Sequence, residues 1–166
     1  MSRAVIHETA VVDITAVIYD GVVIGADVQI GPFCIIGAPP EKKGAAHNMG
    51  VIIGRGTVIH GACTIDGGYQ QSTYIGEDCY IMKQVHIGHD ATIRRGVTIA
   101  PHATIGGHCI IGDNVGIGMN ASIHQFVGIA EGCFIGQGTV LPRGFVTTPN
   151  RKYVGVGRDI GENRKP

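Results

Sequence analysis

The sequence predicts an all-β protein, a parallel β-helix wound on a period of six, and three observations predict it. The first is register. Down every sixth position from Ile75 stand Ile81, Ile87, Ile93, Ile99, Ile105, Ile111, Ile117, Ile123, Ile129, Ile135 and Leu141. Ordinary strand or helix patterns do not hold a period of six over such a length, and a fixed short period marks a solenoid. The second is size. The residue two before each of these is small, as in Val85, Ala91, Val97, Ala103 and Cys109. One large and one small inward side chain per six residues is what a narrow prism core can hold. The third is composition: 27 glycines, no tryptophan and 5% aromatic residues. That suits many tight corners around a thin core and not a sandwich with a large aromatic interior.

The elements follow in order. Ile6, Val12, Ile18, Ile24, Ile30 and Ile36 are six apart, each with Ala, Val or Cys two residues earlier. Residues 37–50 (GAPPEKKGAAHNMG) interrupt them with Pro-Pro, glycine and charge, and read as a loop pushed out of the solenoid. Ile53, Ile59 and Ile65 resume the period, and 66–72 (DGGYQQS) is a second, shorter excursion. The long run then continues to Leu141. At three hexads per turn, residues 1–141 make about seven coils of a triangular prism, each face a short parallel strand. Residues 142–166 carry three prolines and clustered cations and read as an extended tail, too short for a second domain.

Formal net charge is zero, so there is no basic field for nucleic acid or anionic lipid. No apolar run approaches the ~18 residues of a membrane span, and Met1–Ala10 carry no signal-peptide core. Cys34, Cys63, Cys79, Cys109 and Cys133 all fall at the small inward position. They read as buried hydrophobes in a reducing cytoplasm, and none has zinc-site spacing.

The period also locates the chemistry. If a coil is 18 residues, His89 stacks with Gly107 and Gln125, and Asp90 with His108 and Phe126. Three polar pairs then share one edge of the prism, in a stretch where His86, His89, His102, His108 and His124 are concentrated. A histidine whose second ring nitrogen is held by a carboxylate is a general base of fixed tautomer. A neighbouring glycine N–H can stabilise an oxyanion. Base and oxyanion donor are the minimum for moving an acyl group onto a hydroxyl.

VHIGHD (85–90), IGGHC (105–109) and IHQF (123–126), with IGPFCIIG (30–37) and GEN (161–163), resemble the UDP-N-acetylglucosamine O-acyltransferases of lipid A synthesis, a family of hexapeptide-repeat acyltransferases. The resemblance implies a left-handed coil, a homotrimer and a cytoplasmic enzyme of lipid metabolism. It implies that His89 takes the proton of the sugar 3-hydroxyl, that Asp90 supports it, and that Gly107 donates its N–H to the thioester oxyanion. His86, His108, His124 and Gln125 would surround the nucleotide sugar, Glu41 and Lys43 would lie near the acceptor, and Asn163 near the nucleotide. The donor would be an acyl-carrier-protein thioester, with no metal or bound cofactor.

Three departures from the family's pattern modify that picture. The family continues into an arginine-rich helical domain where this sequence stops. Met119 and Gln137 stand where long-chain members line the acyl groove with glycine, which predicts a short acyl group such as acetyl. Asp66 stands where the family has a histidine, so the acceptor sugar is expected to differ. Competing readings are an acetyl-CoA-dependent sugar acetyltransferase, a zinc enzyme resembling γ-class carbonic anhydrases that recruits His86, His102 and His108, and a non-catalytic trimeric binding scaffold.

Overall fold

The computed structural model describes residues 3–44 and 48–163; Arg164, Lys165 and Pro166 of the tail lie outside them. The chain winds as a left-handed parallel β-helix whose strands, most of two residues, form sheets of seven, nine and seven strands among the described residues. Up to Val140–Leu141 successive strands fall on the first, second and third faces in turn, so each pairs with the one three later. On the first face Ile75 pairs with Ile93, Ile93 with Ile111 and Ile111 with Ile129. Ile24 pairs with Ile53, and Ile53 with Ile75. The surplus over 18 in those two steps is the two excursions, which both leave the edge between the third and first faces.

The inward isoleucines form one column of core along the axis, all but dry from Ile24 to Leu141. A fully buried isoleucine contributes about 1.5–3 kcal/mol, so the repeated column supplies most of the drive to coil. All five cysteines are buried and free, in the small inward places expected of them. Thr57, Thr73 and Thr139 occupy the same kind of place. Their hydroxyls are hydrogen-bonded rather than idle: Thr57 donates to the Gly76 carbonyl at 2.7 Å and Thr139 to that of Tyr153 at 3.3 Å.

The segment read as an extended tail carries two strands. Val146 bridges to Gly128 on the first face, and Arg151–Val154 pairs parallel with Phe134–Ile135 on the second. Val156 bridges to Val140 on the third. The chain thus begins an eighth coil without an isoleucine register, and Tyr153 fills its core position at 4% exposure. Arg158–Glu162 then folds back antiparallel on Arg151–Val154.

Candidate active site

Every coil turns a corner at each edge, and at most corners one residue takes left-handed backbone. Along the edge between the first and second faces those residues are Asp27, Gly56, Asp78, Gly96, Asn114, Gly132 and Asn150, the types that tolerate this conformation best. Along the edge between the third and first faces Asp90, His108 and Phe126 take it, with φ of 59°, 59° and 64°, as do Gly21 before them and Gly144 after. Two rings in left-handed backbone are a costly choice, and the reason is what they meet.

The corners on this edge stack one on the next. The His108 N–H donates to the His89 carbonyl at 3.0 Å, the Phe126 N–H to that of Gly107 at 3.1 Å, and the Gly144 N–H to that of Gln125 at 3.3 Å. The alignment expected from 18-residue coils is therefore the one present. The His108 and Phe126 rings stack at 4.6 Å with their planes 5° apart. His89 meets His108 edge to face at 5.1 Å.

Asp90 is 1% exposed, and its carboxylate is the anchor of the edge. Oδ1 accepts the backbone N–H groups of Tyr69, Gln70 and Gln71 at 3.2, 2.8 and 2.9 Å. Its own N–H donates to Thr73 Oγ1 at 2.9 Å, and its carbonyl accepts from Gln71 Nε2 at 3.1 Å. Oδ2 lies 2.7 Å from His89 Nδ1. Burial pushes the Asp90 carboxyl up. The Gln71 N–H, the His89 ring and the N–H groups of Gln70 and Tyr69 outweigh it and hold the group below its ordinary value. The carboxylate is ionised and can only accept, so His89 Nδ1 must carry the hydrogen. Nε2 is then the basic nitrogen, on a side chain still 17% accessible.

Gly107 lies against that nitrogen. A Cβ there would sit 2.8 Å from His89 Cε1 and 2.9 Å from Nε2, so only glycine lets the imidazole stay where Asp90 holds it. His108 Nε2 is 3.9 Å from Asp90 Oδ2, and burial depresses its basicity more than Asp90 restores it, with His89, Lys42 and Arg143 adding to the depression.

The other expected residues divide. His86, on the third face one strand before the corner, bonds through Nδ1 to Thr64 Oγ1 at 2.8 Å. Gln125 and His124 lie exposed at one corner, two coils on from His89, and Arg143 donates to Gln125 Oε1 at 3.1 Å. Asp66 is 6% exposed at the mouth of the second excursion. Burial raises its carboxyl above the usual range against the pull of His86, with Glu41 raising it further. Glu41 and Lys43 are both exposed, whereas their neighbour Lys42 reaches the edge, bonding to the Tyr69 hydroxyl and lying 3.8 Å from that ring's centre. Met119 and Gln137 share a cavity of about 290 Å³ with Thr98, Gly116 and Phe134. That cavity is on the edge between the second and third faces, not the edge of His89. Asn163 is on the remaining edge, donating to the Gly132 carbonyl at 2.8 Å. His102 also lies off the His89 edge, so one chain does not gather His86, His102 and His108.

His89, Asp90 and His108 offer ligand atoms all within 4.8 Å of one another. With Oδ1 taken by three N–H groups and Oδ2 by an imidazole N–H, the trio as built orients a proton-accepting nitrogen rather than a cation. Sequence reasoning passed over Tyr69, Gln70, Gln71 and Thr73. The 18-residue rule places Gln71 and Ser72 directly before His89 and Asp90 on the same edge, and that was the available signal.

Comparison with known proteins gives a family model, bacterial transferase hexapeptide (six repeats), that matches residues 3–38, 72–107 and 108–143. Among solved structures the chain is similar to UDP-N-acetylglucosamine acyltransferase from Campylobacter jejuni, at 27% identity and a TM-score of 0.71 over 91% of this chain and 71% of that one. It is similar to the acyltransferase from Bacteroides fragilis at 25% identity, with a TM-score of 0.72 over 96% and 73%. The UDP-N-acetylglucosamine O-acyltransferase of Moraxella catarrhalis shares the fold, with 24% identity and a TM-score of 0.74 over 99% and 74%.

Proposed function

This chain belongs to the bacterial hexapeptide transferase family, and from that premise we propose that it transfers an acyl group from a carrier thioester, acyl-carrier protein or coenzyme A, to the 3-hydroxyl of UDP-N-acetylglucosamine or a related nucleotide sugar. The observation that carries the reading is the 2.7 Å contact between His89 Nδ1 and a carboxylate immobilised by three N–H groups. Such a carboxylate fixes one tautomer and stabilises the imidazolium that forms.

In the proposed reaction the acceptor O–H gives its proton to His89 Nε2 while its oxygen attacks the thioester carbonyl carbon. The oxyanion that develops is met by the Gly107 N–H. The C–S bond then breaks, and the departing sulfur takes the proton back from the imidazolium. The products are an ester and a thiol, and the balance calls for no resident metal or cofactor. His86, His108, His124 and Gln125 would contact the sugar nucleotide and Glu41 and Lys43 its periphery, while Asn163, on another edge, would reach it only from a neighbouring copy. Asp66 would alter which sugar is accepted.

A homotrimer completes the proposal. In the outward row of the first face Val5, Val23, Ile52, Tyr74, Ile110 and Val146 are exposed and apolar, with Thr92 and Gly128 between the last three, and a second copy would bury them. Met119 and Gln137, away from His89 in their own chain, would meet the site of a neighbouring copy and limit the acyl length.

The test is turnover of UDP-N-acetylglucosamine with donors from acetyl-coenzyme A to carrier-protein thioesters of increasing length, read by mass spectrometry beside His89→Ala. An acylated nucleotide sugar that falls by ~10²-fold or more in the variant supports the reading. Equal product from both proteins removes His89 as the base. No product from any donor removes the acceptor.

A further inference from the structure

We propose that Arg143 binds the phosphate of a phosphopantetheine-bearing thioester donor, an assignment that rests on the acyl-transfer reading. Arg143 stands three coils from His89 on the same edge, on the corner that stacks on Gln125. Its guanidinium carbon is 4.6 Å from the centre of the Phe126 ring, and one N–H is committed to Gln125 Oε1 at 3.1 Å. A guanidinium placed over a ring and anchored at one nitrogen is pre-oriented, with its remaining donors able to form a fork. Phe126 in turn rests on His108, so the side chain is registered to the catalytic corner through one continuous stack.

Distance decides which phosphate it fits. Neighbouring coils are spaced as hydrogen-bonded strands, so three coils put Arg143 about 14 Å from His89. In a nucleoside diphosphate sugar the phosphates are only a few bonds from the reacting hydroxyl, too close for this position. In a phosphopantetheine thioester thirteen bonds separate sulfur from phosphorus, a reach of about 15 Å at the rise of an extended chain. The path between is open. The outward row of the third face runs His86, Thr104, Ser122, Val140, and nothing larger than threonine stands between its ends. Coenzyme A and a carrier-protein phosphoserine share this chemistry, and the donor series separates them.

The experiment compares acyl-pantetheine, acyl-4′-phosphopantetheine, acyl-coenzyme A and acyl-carrier protein as donors to wild type, Arg143→Met and Arg143→Lys. Wild type should favour the three phosphorylated donors in KM by about 10- to 100-fold, the range of charge-assisted hydrogen bonds. In Arg143→Met the ratio of kcat/KM between phosphorylated and unphosphorylated donors should fall towards one, with Arg143→Lys intermediate. A ratio preserved in Arg143→Met overturns the proposal. So does an equal rise in KM for acyl-pantetheine, which would mark a packing role through Phe126, and so does a change confined to the KM of the sugar nucleotide. Preference for acyl-coenzyme A over the carrier protein, or the reverse, names the donor. If no donor is turned over, the acceptor assigned above has failed, and calorimetry with 4′-phosphopantetheine and pantetheine decides the subsite alone. Binding of the former only, lost in Arg143→Met, upholds it; equal or absent binding sinks it.

Discussion

Replacing Asp90 with asparagine keeps the shape of the side chain and removes its charge. The amide can sit in two ways. With its oxygen in the place of Oδ1 it still accepts the N–H groups of Tyr69, Gln70 and Gln71. Turned over, it would set an NH₂ against three N–H donors, each left unsatisfied at about 1–3 kcal/mol. The first orientation wins, and it points an NH₂ at His89 Nδ1, where a hydrogen already sits. The imidazole must then accept at Nδ1 and carry its hydrogen on Nε2, so the nitrogen facing substrate is no longer a base. The expected loss is ~10²–10⁴-fold in kcat, or about 3–5 kcal/mol of transition-state stabilisation.

Stability should change less. Three charge-assisted hydrogen bonds become neutral ones, against relief from burying a charge, for a net cost of about 1–2 kcal/mol. In a chain of this size that is about 2–8 °C in Tm. The assay is steady-state transfer to the nucleotide sugar with the best donor, beside a thermal melt of the same preparation. Activity within ~3-fold of wild type in a variant that melts normally would refute the reasoning, because the tautomer would then not be set by Asp90.

Gly107→Ala places a Cβ 2.8–2.9 Å from the His89 ring, which cannot retreat from Asp90; kcat should drop ~10²-fold with little change in Tm, and near-normal turnover would separate Gly107 from the site. Met119→Gly with Gln137→Gly should shift the kcat/KM ratio of a donor of ~14 carbons to acetyl by ~10-fold or more, as each newly buried methylene contributes about 0.8 kcal/mol. An unchanged donor profile would discard both residues as a limit on chain length. The stability of the fold should depend on pH through His108 and Asp90. His108 titrates below its ordinary value when folded, so the unfolded chain binds the extra proton first, and stability falls as pH drops below about 6.5. Asp90, depressed from its ordinary value, contributes stability above about pH 3.9 that is lost as pH falls through its folded value. Melts of wild type and His108→Gln across this range should converge at low pH from a higher wild-type Tm at neutral pH; parallel curves would contradict the assignment to His108.

The solenoid and the position of its chemical edge were legible in the residue string alone. A period of six leaves one way to bury an isoleucine every sixth residue, and stacked coils turn sequence distance into spatial distance. His89, Gly107 and Gln125, or Asp90, His108 and Phe126, could therefore be placed together without coordinates. Local regularity carries that information, and it fails where the regularity fails. The second excursion has no period of its own, so spacing could set Gln71 and Ser72 one coil before His89 and Asp90 but could not say that the backbone would turn three N–H groups onto the carboxylate. The first loop put Lys42, rather than Glu41 or Lys43, against Tyr69 for the same reason. The eighth coil escaped notice because its core is held by Tyr153 and strand pairing to the coil below, not by an isoleucine in register. The sequence by itself determined the coil, the dry core and which residues share an edge. Only the tertiary structure decided which oxygen of Asp90 is saturated, which nitrogen of His89 is left basic, and that Asn163 lies on another edge of the same chain. Those outcomes depend on contacts between segments without repeat, where backbone direction is set by packing rather than by spacing.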